Sequence, residues 1–300
     1  MKTSMMIVNY FILLLAAACK TDNPPVNSKT GYNLSEYSKK FKLPGKLNEV
    51  SGLSSFSAGS IACVQDEEGK MYIYNLKNEE VEETIGFGKK GDYEGIAIAD
   101  EDAFVLRSDG ALFQVKNWKT EDRETIEFKT FLSEKNDAEG ICYDPGGHRL
   151  LIACKGRAGE GDSFKGKKAI YSFDLSLRKL SEVPAFLISL QQIRDSLKLA
   201  GLNESYERLT EFLGEPEGSL TFQPSGIAIH PFSGHIYVIS SAGKLLVVLN
   251  QNGKIEHIEK MNCKYFKQPE GITFLPDGDM LISNEGQGGD ADILLFKYGK

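Results

Sequence analysis

Histidine, tryptophan and cysteine are scarce in this chain, with four His, one Trp and five Cys in 300 residues. No two cysteines have the CxxC spacing of a zinc or thiol-redox site, so neither chemistry rests on them. There is no Gly-x-Ser-x-Gly nucleophile elbow and no Gly-x-x-x-x-Gly-Lys-Ser/Thr phosphate loop. No basic block exceeds a few residues, and a net charge of −7 with a pI near 5.3 argues against nucleic acid as a partner. What is present, 41% hydrophobic and 26% charged residues, is ample for a globular core. It fits one large β domain as readily as two smaller ones.

The first 18 residues have the layout of an export signal. Met1-Lys2 is a minimal positive start, and Met5 to Leu15 is an apolar stretch broken only by Asn9 and Tyr10. Ala16-Ala17-Ala18 supplies small residues for a signal peptidase, and Cys19 follows at once. The arrangement resembles a bacterial lipobox, with Ala16 where Leu is usual. That implies lipidation of Cys19 and a place in the cell envelope, on the outer membrane of a Gram-negative bacterium. Ordinary secretion with an incidental Cys19 is the alternative. Residues 19–34 read as a tether, polar and carrying Pro24 and Pro25, and residues 35–300 as the folded domain. Cys63, Cys142, Cys154 and Cys263 read as small core hydrophobes, although an exported chain can pair two of them.

A short motif recurs along the domain: Ser51-Gly52-Leu53, Glu94-Gly95-Ile96, Glu139-Gly140-Ile141, Ser225-Gly226-Ile227 and Glu270-Gly271-Ile272. Its glycines are spaced by 43, 45, 86 and 45 residues, so three gaps agree and one is about double. Several short strands repeated at such a period mark a β-propeller. Each unit opens on the motif and continues through three further strands separated by turns such as Asp100-Glu101-Asp102, Ser108-Asp109-Gly110 and Pro276-Asp277-Gly278. The fifth unit ends at its third strand, Asp292 to Tyr298. Ser38 to Leu43, ahead of the first unit, is the strand expected to complete it and close the ring, leaving no exposed sheet edge. The expectation is an all-β propeller of five blades, with six as the alternative. The long gap holds Leu190 to Leu213, whose apolar spacing is helical and whose Asn203 to Glu207 reads as a helix start, so a helical insertion is expected near 190–215. Gly156 to Lys168, rich in Gly, Lys and acidic residues, is expected at one mouth of the ring.

In a propeller the first strand of each blade is innermost, so Ser51, Glu94, Glu139, Ser225 and Glu270 should form one ring around the axis. Three carboxylates crowded there are stable only if protonated, paired with cations or bound to metal. Oxygen donors without His or Cys suit Ca²⁺ and not zinc or copper. The metal candidates are therefore Glu94, Glu139 and Glu270, with Ser51, Ser225 and Glu285 as further ligands. The alternative is a structural ring that merely accepts backbone N–H bonds. Asp66, Arg107, Lys155, Ser240, Ser241 and Glu285, at ends of second strands, share that face. Of these, Asp66, Arg107 and Lys155 make a possible ligand face. His148, His230, His235 and His257 belong elsewhere, and Asp277-Gly278-Asp279 is a hairpin turn, not a calcium loop.

As a set, the five Ser/Glu-Gly-Ile/Leu motifs, together with Ile-Tyr-Val-Ile-Ser-Ser and Leu-Ile-Ser-Asn-Glu-Gly, resemble the SdiA-regulated (YjiK-like) proteins over residues 35 to 300, apart from the insertion. The resemblance implies a five-bladed propeller with a calcium site and no assigned activity. A more distant similarity to NHL-repeat proteins and to esterase-like or phytase-like propellers invites an enzyme reading, although fold does not fix function. Two functions stay open. One is a monomeric, membrane-anchored, calcium-binding module for a small molecule or an envelope protein. The other is a calcium-dependent hydrolase of esterase, lactonase or phytase type; no catalytic constellation is evident in the sequence.

Overall fold

A computed structural model describes residues 30–202 and 222–299. The export signal, Cys19, and the stretch of the insertion from Asn203 to Leu213 lie outside the described residues. Among the described residues, no helix is long and apolar enough to cross a membrane.

The chain enters through β1 (Lys39–Lys42), which pairs with nothing near it in sequence. Blade one follows as β2 (Val50–Ser55), β3 (Ser60–Gln65), β4 (Lys70–Asn75) and β5 (Glu80–Gly86). Blade two is β6 (Tyr93–Ala99), β7 (Asp102–Arg107), β8 (Leu112–Lys116) and β9 (Glu124–Phe128). Blade three is β10 (Ala138–Asp144), β11 (Arg149–Cys154) and β12 (Lys167–Asp174), edged by β13 (Lys179–Leu180) and β14 (Phe186–Ser189). A helix, α1 (Leu190–Leu199), then leads toward blade four: β15 (Pro224–Ile229), β16 (Ile236–Ser240), β17 (Leu245–Leu249) and β18 (Ile255–Lys260). Blade five is β19 (Pro269–Phe274), β20 (Met280–Asn284), β21 (Asp292–Phe296) and, as its outer strand, β1. All ladders are antiparallel, and Phe41 faces Ile293 in the closing pair. Backbone bonds from Ser38 N to Leu295 O (2.8 Å) and from Leu43 N to Ala291 O (2.9 Å) carry the closure over the full expected segment.

Burial decides the character of each strand. Inner and middle strands lie between neighbouring blades and are apolar on both faces, as in Leu245–Leu249, where every residue is buried. Outer strands such as Glu80–Gly86 meet water and carry charge, here Glu80, Glu82 and Glu83. The core is accordingly divided into five apolar clusters, one between each pair of adjacent blades. Helix α1, capped by Ser189 Oγ accepting from Gln192 N at 3.4 Å, drives Ile193 and Leu197 into the cluster between blades three and four. This accounts for the described part of the doubled gap without a sixth blade.

Two expectations need correction. The tether was drawn to residue 34, but Tyr32 and Leu34 are fully buried between blades four and five, against Tyr237, Phe274 and Tyr298, so the packed domain reaches back to Thr30. Cys63, Cys142 and Cys154 are buried free thiols as expected, but Cys263, half-buried in the loop after β18, is disulfide-bonded and is no core residue.

The blades meet closest at the motif glycines. A Cβ on Gly52 would stand 2.6 Å from Gly95 Cα, and one on Gly226 would stand 2.5 Å from the Glu270 carbonyl oxygen. These neighbours are backbone and cannot turn aside. Gly52→Ala should therefore destabilise the fold by roughly 1–3 kcal/mol, the usual cost of overpacking. Gly59→Ala, where a Cβ meets nothing within 4 Å, should change stability by less than about 0.5 kcal/mol. Urea unfolding of the two variants checks the contrast.

Candidate functional site

All five innermost strands carry the same irregularity. Their pairing steps from Val50 to Gly52, Tyr93 to Gly95, Ala138 to Gly140, Pro224 to Gly226 and Pro269 to Ile272. A bulged residue drops out of the ladder and its side chain is re-aimed. Here the bulged residues are Ser51, Glu94, Glu139, Ser225 and Glu270, and they line one narrow axial cavity of ≈ 10 Å³, about the room of a single water. The expected ring is brought together.

Its members are satisfied unequally. Ser51 Oγ donates to the Tyr93 carbonyl at 2.7 Å and Ser225 Oγ to the Pro269 carbonyl at 2.8 Å, tying blade one to two and blade four to five. The glutamates form no such bridge, and no described backbone N–H donates to them. Glu139 accepts from Lys155 Nζ at 2.6 Å. Burial, reinforced by Glu139, Asp92 and Glu270, pushes the Glu94 carboxyl up to about 10. Burial and then Glu139 push Glu270 up to about 8, with Lys155 pulling the other way. Glu139 is also raised by burial, opposed by Lys155. Burial disfavours the Lys155 ammonium, yet Glu139, Asp137 and Glu270 together hold it above the ordinary lysine range. In the absence of a further cation, burial and mutual repulsion thus favour the protonated forms of Glu94 and Glu270.

The mouth above the ring is acidic. Asp66 is raised to about 6 by burial and by Glu49, Glu67 and Asp92. Glu285 is raised by burial and by Asp66 and Glu49, and accepts a hydrogen bond from Gln268. Ser240 and Ser241 belong to the blade-four edge of this mouth, where Ser241 N donates to Ser225 Oγ at 3.2 Å. Arg107 is not turned to the ring; Asp109 grips it through Nε at 2.9 Å and a terminal nitrogen at 2.8 Å, above Phe113. The Gly156 to Lys168 loop rises here, anchored by Lys168, whose ammonium donates to the Lys155 and Gly156 carbonyls. Lys244 was missed by sequence reasoning. It is buried in the β16–β17 turn, donates to the Lys267 carbonyl at 2.6 Å, and is pushed down to about 8 by burial against the opposing pull of Glu270. No local signal marks it: Lys244 immediately precedes β17, and the blade-four position equivalent to Asp66 and Lys155 is Ser241. Among the described residues no three His, Cys, Asp or Glu side chains stand close enough to share one ion in this arrangement.

Below the ring, Leu53, Ile96, Ile141, Ile227 and Ile272 form an apolar collar. Past it the channel opens into a cavity of ≈ 650 Å³, far larger than the axial one and at the opposite mouth from the carboxylates. Four residues beyond each bulge, Ser55, Ile98, Tyr143, Ile229 and Phe274 line its walls, and Asp144, Arg149, His230 and Gln251 also line it. His148 and His235 stand at hairpins of this far side, as expected from their turns. His230 is buried among Tyr32, Tyr237, Phe274 and Tyr298.

This architecture defines a five-bladed β-propeller. Among solved structures, the chain is similar to the glutaminyl cyclase of Myxococcus xanthus, at 12% identity and a TM-score of 0.57 over 87% of this chain and 95% of that one. It is also similar to a streptogramin B lyase, at 10% identity and a TM-score of 0.50 over 86% of this chain and 97% of that one. At such identities the likeness is one of fold alone. No protein-family model and no curated protein matches the chain.

The shifted carboxyls predict a pH dependence. Glu94 and Glu270 titrate above the ordinary carboxylate value of 4.5 when folded, so the folded state binds more protons than the unfolded chain between about 4.5 and 8–10. Stability of the metal-free protein should fall as pH rises through that window. Glu270→Gln should flatten its lower part. Thermal unfolding in chelator at pH 5 and pH 8, wild type against variant, reads the difference; equal slopes would remove Glu270 as a source of it.

Proposed function

We propose that this propeller is a calcium-binding module of the cell envelope, held at the membrane by a lipid on Cys19 and serving to bind a small molecule or an envelope protein. The lipobox-like Ala16-Ala17-Ala18-Cys19 supports the anchor, and the five-fold motif supports placement among SdiA-regulated (YjiK-like) proteins. The observation that carries the metal reading is the axial ring: three carboxyls line one narrow cavity, and Glu139 alone among them accepts a hydrogen bond from an ammonium, that of Lys155. Burying carboxylates is costly unless they are paired. The donor set is all oxygen, which fits Ca²⁺. To hold the ion, Glu94, Glu139 and Glu270 would have to draw closer together than they stand in this arrangement, with Ser51, Ser225 and Glu285 nearby. A bound ion would supply the charge that lets Glu94 and Glu270 ionise. Lys155 is then a built-in competitor, occupying Glu139 when metal is scarce.

A second reading, hydrolysis of an ester, lactone or phosphoester, draws on Lys244. A buried amine shifted to about 8 beside Glu270 has the basicity that a general base needs.

Elemental analysis of protein expressed without residues 1–21 should find calcium, and chelator should lower its melting temperature. Glu139→Gln should abolish that calcium effect, whereas Lys155→Met should tighten calcium binding. If neither wild type nor Lys155→Met binds calcium, the site is wrong. In cells, Cys19→Ser should move the full-length protein from the membrane to the soluble fraction.

A further inference from the structure

We propose that the wide cavity opposite the carboxylate ring binds an apolar carboxylate, a molecule with a hydrocarbon body and a single carboxylate head. This site is separate from the ring and does not rest on the calcium reading.

The cavity is built in layers. Its floor is the collar of Leu53, Ile96, Ile141, Ile227 and Ile272, all buried and aliphatic. The next layer adds Ile98, Ile229 and Phe274. A volume of ≈ 650 Å³ suits a small organic molecule, and apolar walls with a few placed polar groups are the usual make-up of such a site. At the aliphatic floor a ligand's polar group would lose water without gaining a partner, so the hydrocarbon body belongs there and the polar head belongs nearer the polar lining residues.

The charge sits on blade three. Arg149 and Asp144 are the charged side chains among the lining residues, and they are engaged asymmetrically. Both oxygens of Asp144 are used at home: Oδ2 accepts from Arg149 Nε at 2.8 Å, and Oδ1 from Gly147 N at 3.2 Å. Asp144 thus holds the guanidinium by its inner nitrogen and leaves both terminal nitrogens without a described partner. The Phe186 ring, 5.8 Å from the guanidinium carbon, backs the group from the side. A guanidinium held in this way presents two parallel N–H donors, the geometry that recognises a carboxylate in bidentate fashion. Opposite it, Ser54 Oγ and Thr273 Oγ1 accept from Ile98 N at 2.9 Å and from Ser55 N at 3.0 Å, which leaves their hydroxyl protons for a second polar atom of the ligand. The lining charges sum to zero before binding, so a monoanion is admitted.

Titration calorimetry with octanoate, decanoate and the neutral octanamide tests this. Wild type should bind octanoate, and decanoate roughly tenfold more tightly for its two extra methylenes. Arg149→Gln should weaken octanoate by roughly ten- to hundredfold while leaving octanamide within about twofold. Arg149→Lys keeps the charge without the fork and should fall between the two; it decides the matter if Arg149→Gln melts early. The proposal is overturned if wild type of normal melting temperature binds neither acid, if decanoate gains nothing over octanoate, or if both Arg149 variants bind octanoate as wild type does. Because the readout is unaffected by chelator, failure here leaves the calcium ring standing, and the reverse also holds.

Discussion

Each blade of this propeller rests on the next through a glycine that leaves no room for a Cβ. Gly52 lies on Gly95, Gly95 on the Glu139 carbonyl and Ile141, Gly140 on Gly226 and Ile227, Gly226 on the Glu270 carbonyl, and Gly271 on Leu53. At Gly52, Gly140 and Gly226 the nearest atoms are backbone, and this close approach sets the radius of the ring and brings the residue before each glycine to the axis. The bulge at that residue is the local adjustment that lets the strand approach so closely and still pair with its neighbour. The other features of the site follow from this approach, because five side chains must then share a space with room for about one water.

Serine and glutamate answer that crowding differently. Ser51 and Ser225 use the closeness, since a hydroxyl can donate to the next blade's carbonyl. An ionised glutamate can only accept, and at the axis it meets carbonyl oxygens and other carboxyls. The collar of Leu53, Ile96, Ile141, Ile227 and Ile272 sharpens the problem by closing the inner side with hydrocarbon, so the carboxyls are hydrated from one mouth only. The same collar is the floor of the opposite cavity. One layer of aliphatic side chains thus separates the acidic mouth from the wide cavity at the other end of the channel.

Much of this was legible in the chain, because the repeat is a strict geometric demand. The Gly spacing located every blade, and the missing last strand of blade five called for Ser38 to Leu43, which pairs where it was needed. Other features were not legible. Tyr32 and Leu34 look like part of a polar tether until blades four and five provide a slot for them. Arg107 and Lys155 both lie at the end of a second strand, one register position apart, but Asp109 captures one and Glu139 the other. Lys244 carries no local sign that it will be buried. The wide cavity draws its lining from all five blades, so no segment of the chain announces it.

The sequence by itself determined the periodic part of this protein: the number of blades, the closing strand, and the identity of the residues carried to the axis. Glycine and hydrophobic spacing encode these through local sterics, which act over a few residues and repeat. Only the tertiary structure decided which charges meet, which amine compensates the ring, and which mouth opens into a cavity. Those outcomes depend on distances between side chains far apart in sequence and on how much water reaches them, and neither quantity exists until the ring has closed.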